Sequence, residues 1–295
     1  MKVEVVRPNG YCHGVASAII RIVELSRSDT PKPIHVYGMV IHNMHVTEAL
    51  ARSGVISHIN PKLSDIDAME GTIVFTAHGT PKATKAYAAS KGLTCVDVTC
   101  KDVTATLTLI DQFIADGFQV LYIGRHGHPE SIAASEHDQV TLVESLEEIQ
   151  ALNLTGRWAV TNQTTLSILE LAEQYEYLKQ TYPEMTIMNE ICHATLRRQE
   201  AVLDQFDKDL LIVVGDQKSN NSQNLAKTHP NGVLIQSYAD LNQLDLNVET
   251  IAVTAGASTP RHILNEVVEA LEHYNQTGNF EYQSTMTDER ILALK

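Results

Sequence analysis

Aromatic residues are scarce in this chain of 295 residues: ten tyrosines, five phenylalanines and one tryptophan amount to 5% of it. With 43% hydrophobic content, a large core is available, and it must rest on Ile, Leu, Val and Ala. Positive charge is scarce as well. Lys and Arg number 22 against 36 Asp and Glu, the net charge is −14, and no basic stripe interrupts the deficit. Nucleic-acid binding needs clustered cations to neutralise phosphates, so it is excluded as a partner class. No apolar run approaches the roughly 18 residues of a membrane span. The opening MKVEVVRPNG is too short and too charged for a signal peptide. A cytoplasmic protein independent of membranes is expected. The nucleotide-binding patterns GxGxxG and GxxxxGK[ST] are missing, as are Gly/Ser-rich linkers and low-complexity stretches.

What is present is a repeat. Cys12, Cys100 and Cys192 each follow a short apolar segment, at spacings of 88 and 92 residues. From Cys12, His42 lies 30 residues on and His78 lies 66 on. From Cys100, His128 lies 28 on and Thr165 lies 65 on; from Cys192, Asn221 lies 29 on and Ser258 lies 66 on. Short β-branched runs alternate with helical patterns throughout, which reads as an α/β fold with mostly parallel strands. Strands are predicted at 3–6, 34–37, 72–76, 94–98, 120–123, 158–161, 185–188, 210–214 and 251–253. The clearest helix follows Cys100: Val103, Leu107, Ile110, Phe113 and Ile114 share a face, and Gly117 offers a stop. Val15, Ile19, Ile22 and Val23 repeat that spacing after Cys12.

Three repeats are therefore expected, over 1–92, 93–184 and 185–275, packed as one body. The remaining 276–295 forms a C-terminal tail, either folded back on the core or disordered. Each cysteine and each polar cluster falls at the carboxyl end of a predicted strand, where open α/β sheets bind ligands.

Thiols stay reduced in the cytoplasm, so the four cysteines are expected to ligate metal or act in catalysis rather than form disulfides. Cys95 alternates inside the apolar run LTCVDV and reads as a small core residue. Cys12, Cys100 and Cys192 lie outside their apolar runs, beside polar residues, and read as metal ligands. Tetrahedral zinc on three thiolates is one possibility. The absence of a CxxC pair, and ligands drawn from three distant junctions, favour a cubane iron–sulfur cluster whose fourth iron lacks a protein thiolate.

Among 13 histidines, His42, His78 and His128 stand out by their offsets and flanks; His58, His137, His229, His262 and His273 are expected at the surface. Together with Ser219, Asn221 and Ser258, and with helix N-termini, the three make a donor set for a phosphate or diphosphate. That anion belongs to the substrate rather than to a bound dinucleotide. Glu130, in the junction turn GHPE, reads as the general acid. Thr164 and Thr165 have two readings: caps for the helix beginning near Ser167, or hydroxyls that relay a proton from Glu130.

With these residues in view, the sequence resembles the 4-hydroxy-3-methylbut-2-enyl diphosphate reductase (LytB/IspH) family over essentially its whole length to about residue 270. NGYCHGV (9–15), VIHN (40–43), TAHG (76–79), DVTC (97–100) and GHPE (127–130) carry the resemblance. So do QTTLS (163–167), ICHATLRRQ (191–199), SNNS (219–222) and VTAGAS (253–258). The resemblance implies three pseudo-threefold-related α/β lobes, a trefoil, around a [4Fe-4S] cluster on Cys12, Cys100 and Cys192. It assigns diphosphate binding to His42, His78, His128, Thr165, Ser219, Asn220, Asn221 and Ser258. Glu130 becomes the proton donor, helped by Thr164 and Thr165. Electrons would come from ferredoxin or flavodoxin. The products would be isopentenyl and dimethylallyl diphosphate, from the last step of the non-mevalonate isoprenoid pathway.

Several positions depart from the common pattern: His13, Lys101 for proline, Ser131 for an apolar residue, Arg197 for asparagine and Asn220 for serine. None removes a ligand or the acid. A paralogue acting on another allylic alcohol or phosphate would differ in the anion set. A non-catalytic iron–sulfur sensor would have no need of Glu130, the threonines and the anion-binding residues together.

Overall fold

The computed structural model describes residues 1–293. Strand β1 (Lys2–Val5) opens the chain but finds its partner at the far end. One sheet comprises β2 (Ile34–Tyr37), β3 (Val55–His58), β4 (Thr72–Phe75) and β5 (Thr94–Asp97), in the order β3-β2-β4-β5. A second comprises β6 (Gln119–Ile123), β7 (Val140–Val143), β8 (Trp158–Asn162) and β9 (Thr186–Ile187), ordered β7-β6-β8-β9. The third joins β10 (Leu210–Val214), β11 (Gly232–Ile235) and β12 (Thr250–Ala255) to β1, in the order β11-β10-β12-β1. All the pairings are parallel, so the α/β expectation holds.

The helices in chain order are α1 (His13–Arg27), α2 (Met44–Arg52), α3 (Lys82–Ser90), α4 (Lys101–Ala115), α5 (Pro129–Ala134) and α6 (Leu146–Gln150). They continue with α7 (Ile168–Thr181), α8 (His193–Leu203), α9 (Asn220–Thr228), α10 (Arg261–Thr277) and α11 (Asp288–Leu292).

Nine strands were legible in sequence, and the three missed are β3, β7 and β11. They occupy the same place in their sheets, the edge opposite the strand that precedes the cysteine. Each has four residues, of which only one is fully buried, too little for an alternating or continuous apolar signal. The sheets also run across the segment borders. Borders at 92/93 and 184/185 assign β5 and β9 to the repeat that follows, whereas hydrogen bonding joins them to β4 and β8.

The chain forms two compact units. One contains Met1–Ile19, Ile41–Ser53 and the chain from His193; the other contains Ile20–Val40 and Gly54–Cys192. In the first unit, β10 and β12 are buried on both faces, as a parallel sheet requires. Ile212, Val214, Ile251 and Val253 pack with Ile263, Val267 and Leu271 of α10. Leu211, Val213 and Ala252 point the other way, onto Val202 of α8 and Leu225 of α9. Each such fully buried aliphatic side chain contributes about 1.5–3 kcal/mol. In the second unit, α7 covers one face of the β6–β9 sheet through Leu171, Tyr175 and Leu178. The helix after Cys100, α4, covers the other, with Ile110 and Phe113 against Val120, Tyr122 and Ala159. Thus β5 completes one sheet, and the helix following Cys100 packs on the next.

Two expectations need correction. Cys95 is exposed, not a core residue, because β5 is an edge strand bonded only to β4 and most of its length meets solvent. His229 is buried rather than at the surface. Its ring takes the Asn231 N–H and bonds the Gln205 carbonyl, closing the turn after α9.

The tail folds back on its own unit as far as it is described; residues 294 and 295 lie outside the described residues. Phe280 stacks on Tyr274 and Tyr282 packs on Tyr238. The buried carboxylate of Glu266 accepts from the Ser284 hydroxyl and the Thr285 N–H. Asp288, at the start of α11, forms a bidentate pair with Arg52 of α2.

Candidate active site

In the first unit Cys12 directly precedes α1, and its N–H donates to the Ala257 carbonyl at 3.0 Å. Ala257 stands just beyond β12, and its own N–H donates to Asn221 Oδ1 at 2.9 Å. The other end of that amide, Nδ2, reaches Thr195 Oγ1 at 3.4 Å. Asn221 is thereby oriented, and it fixes the loop to which the cysteine is tied.

Ser219 caps α9: its hydroxyl accepts the Ser222 N–H and lies 3.3 Å from the Ser258 hydroxyl. Ser258 in turn donates to the His42 carbonyl at 3.1 Å. Asn220 is buried in the first turn of the same helix. The Ser222 side chain fills the space where a Cβ on Gly215 or Gly256 would sit, which is why both strand ends carry glycine. His42 precedes Asn43, the cap of α2. Burial lowers the imidazole pKa, opposed by the nearby Asp216 carboxylate, so the ring is neutral near pH 7. Asp216 also accepts the N–H groups of Met44 at 3.1 Å and Lys218 at 2.8 Å, joining the His42 loop to the Ser219 loop.

The second unit repeats the frame. Cys192 directly precedes α8, and its N–H donates to the Thr164 carbonyl at 3.0 Å. The Thr164 N–H donates to Glu130 Oε1 at 2.8 Å, and the Thr164 hydroxyl donates to Oε2 at 2.9 Å. Tyr122 reaches Oε1 at 3.3 Å. Glu130 is 1% exposed. Burial pushes its pKa up to about 7, and the bonds from Thr164 and Tyr122 hold it from rising further. A carboxyl in this position is still partly protonated near neutral pH.

His128 caps α5, and its Nδ1 accepts the Glu130 N–H at 3.2 Å. The ring proton of the neutral imidazole therefore sits on Nε2, which serves as the donor. The His78 ring stands edge-on to His128, with centroids 5.7 Å apart. His78 follows Ala77, whose carbonyl accepts the Cys100 N–H at 3.0 Å. Cys100 itself caps α4. All three cysteines thus stand directly before a helix.

The sequence left Thr164 and Thr165 open between cap and relay. Ser167 caps α7, its hydroxyl taking the Glu170 N–H, and the Thr164 hydroxyl is engaged with Glu130. Gln163 donates to the Thr165 hydroxyl at 3.0 Å and accepts from the Arg125 N–H and the Ser131 hydroxyl. Gln163, Asp216 and Tyr122 escaped sequence reasoning. Each lies in or beside a polar cluster or strand already marked, but nothing in its spacing sets it apart. Among the unusual residues, His13 and Lys101 are exposed at the first positions of α1 and α4, Arg197 is exposed in the second turn of α8, and Ser131 is buried against Gly124 and Gln163.

The LytB protein family model matches residues 3–272. The 4-hydroxy-3-methylbut-2-enyl diphosphate reductase of Brevibacillus brevis is 42% identical, over 99% of this chain and 99% of the relative. That of Bacillus pumilus is also 42% identical, over 100% and 96%. Among solved structures, E-1-hydroxy-2-methyl-but-2-enyl-4-diphosphate reductase from Plasmodium falciparum matches with a TM-score of 0.86 at 28% identity, covering 97% of this chain and 92% of that one. Another (E)-4-hydroxy-3-methyl-but-2-enyl diphosphate reductase, described as the terminal enzyme of the non-mevalonate pathway, matches with a TM-score of 0.65 at 26% identity. With matches of this length and identity, the chain belongs to the LytB family, whose curated members are 4-hydroxy-3-methylbut-2-enyl diphosphate reductases.

Proposed function

We propose that this chain reduces 4-hydroxy-3-methylbut-2-enyl diphosphate, replacing its hydroxyl by hydrogen. Two electrons and two protons enter, water leaves, and isopentenyl and dimethylallyl diphosphate form. The observation that carries this reading is Glu130: a buried carboxyl that holds a proton near neutrality, hydrogen-bonded to Thr164, whose carbonyl anchors Cys192.

A [4Fe-4S] cluster on Cys12, Cys100 and Cys192 suits the donor set. The four thiols form no disulfide, and these three are partly buried at helix N-termini. A single zinc ion needs its ligands in one tetrahedron. A cubane makes a different demand, one thiolate for each of three irons. When bound, the cluster supplies electrons one at a time and a Lewis-acidic iron for the leaving hydroxyl.

The rest falls to side chains. His42, neutral through burial, joins Ser219, Asn220, Asn221 and Ser258 in binding the diphosphate. His78 and His128 serve the same anion, His128 donating from Nε2, and Thr165 contributes its hydroxyl. Neutral donors suit a substrate that must enter a chain of net charge −14 and leave again as product, since they bind without a fixed ion pair. Glu130 protonates the departing hydroxyl through Thr164 or Thr165, because hydroxide is a poor leaving group and water a good one.

Ferredoxin or flavodoxin is the proposed electron donor and the cytoplasm the proposed compartment. No helix among the described residues is long and apolar enough to cross a membrane. The test is anaerobic purification and incubation of the cluster-loaded protein with the hydroxylated diphosphate and a reduced viologen dye. Both five-carbon diphosphates are expected by mass spectrometry. A fully loaded protein that oxidises the dye with no loss of substrate hydroxyl would overturn the reading.

A further inference from the structure

The sixth residue after each cysteine is buried: Ala18, Thr106 and Arg198. Only the third carries a charge. Arg198, 4% exposed on α8, donates from Nη2 to the Gly10 carbonyl at 2.8 Å and from Nη1 to the Ala194 carbonyl at 2.9 Å. Gly10 is two residues before Cys12, and two peptide units span at most about 8 Å. Its φ of +74° lies in the left-handed region, which turns the chain there and presents its carbonyl to the guanidinium. The Cys12 loop is thus gripped at consecutive residues: Gly10 by Arg198, Tyr11 through its hydroxyl on the Ile291 carbonyl, and Cys12 by Ala257.

We infer that Arg198 is a positioning residue for the proposed cluster, fixing the Cys12 loop and keeping a permanent positive charge beside it. The inference rests on the reading of Cys12 as a cluster ligand. Reduction adds one negative charge to the cluster. A buried cation close to the ligand loop would stabilise the reduced state more than the oxidised one, and so raise the reduction potential. A neutral hydrogen-bond donor would hold the loop but leave the potential lower. Arginine performs both tasks because its guanidinium stays charged when buried and its planar fork spans two acceptors. The charge also breaks the equivalence of the three cysteine helices, since Ala18 and Thr106 supply none.

The test is a potentiometric titration of the anaerobically loaded protein, with cluster reduction followed by electron paramagnetic resonance. Arg198→Gln and Arg198→Lys are compared with wild type. Gln keeps amide donors without charge; Lys keeps the charge but cannot fork across both carbonyls. The Gln potential is expected to move to more negative values, with Lys close to wild type. Substrate KM should change less than twofold in both. A purely structural role leaves the Gln potential at the wild-type value, or moves Lys as far as Gln, and either result overturns the inference. If Gln holds no cluster, Lys decides: a wild-type potential supports the inference, and a displaced one overturns it. Iron content of Cys12→Ser separates the layers. Retention of full iron there would remove the ligand reading and the inference with it, whereas iron loss leaves the Arg198 result to stand alone.

Discussion

Asn221 and Glu130 occupy corresponding places in the two units. Each is the second residue of a helix capped by a side chain, Ser219 in one case and His128 in the other. Each gives a side-chain oxygen to the backbone N–H of the residue beyond a middle strand, Ala257 or Thr164, at 2.9 and 2.8 Å. Each of those residues offers its carbonyl to the N–H of a cysteine, at 3.0 Å in both. A frame made of main-chain bonds is indifferent to whether that oxygen belongs to an amide or an acid. The chemistry diverges through the neighbours. Ala257 has no hydroxyl where Thr164 does, and β10 carries Val213 at the place of Tyr122 in β6. The amide has what it needs to present a neutral donor to an anion. The acid gains the two hydroxyls that keep its pKa near 7 rather than higher still.

Breaking the acid side should cost most. Glu130→Gln keeps the shape and one acceptor but removes the proton, so kcat is expected to fall by about 10²–10⁴-fold, with substrate binding by calorimetry nearly unchanged. The same variant reads the cost of the charge. The ordinary carboxyl value is 4.5 and the folded one about 7. Wild type therefore loses stability relative to Glu130→Gln as pH rises from 4.5 through 7, by up to about 3 kcal/mol. Denaturation at pH 5 and pH 8 should show the gap widen; a constant gap would mean that Glu130 ionises normally.

Forcing the amide side to resemble the acid side is the next test. Asn221→Asp preserves the acceptor for Ala257 but sets a carboxylate among the proposed diphosphate donors. KM is expected to rise about 10–100-fold, on the order of 1.4–3 kcal/mol, with a smaller change in kcat. An unchanged KM would remove Asn221 from the anion site.

How far all this was readable beforehand depends on what each residue's signal was. The cysteines and histidines could be proposed as a site because polar residues at strand ends repeat at fixed offsets, and Glu130 because it shares the GHPE turn with His128. The frame that relates Asn221 to Glu130 did not, since it consists of bonds from main-chain N–H groups, which any sequence possesses. Edge strands β3, β7 and β11 escaped because four residues with a single buried one among them leave no periodicity. Cys95 was misplaced because alternation shows which residues share a face and not whether a helix covers that face. Asp216 lay in plain view in GDQKSNNS, but its role comes from reaching Met44, far away in the chain.

Thr164→Val sharpens the comparison by making the acid's neighbour apolar, as it is at Ala257. Losing a hydrogen bond to the ionised carboxylate raises the Glu130 pKa further, so the alkaline limb of kcat should move up by about one pH unit. A limb that stays near pH 7 would show that the hydroxyl does not touch the charge. Ser167→Ala should have the smallest effect: loss of about 1 kcal/mol of stability from an uncapped α7, measured by urea denaturation, with activity within twofold of wild type.

The central proposal is that Cys12, Cys100 and Cys192 ligate an iron–sulfur cluster while Cys95 does not. Iron and sulfide analysis of anaerobically isolated serine variants tests it most directly. Cys95→Ser is expected to keep the full wild-type iron content, and Cys12→Ser, Cys100→Ser and Cys192→Ser each to lose most of it. Full iron in any one of those three, or its loss in Cys95→Ser, would contradict the account.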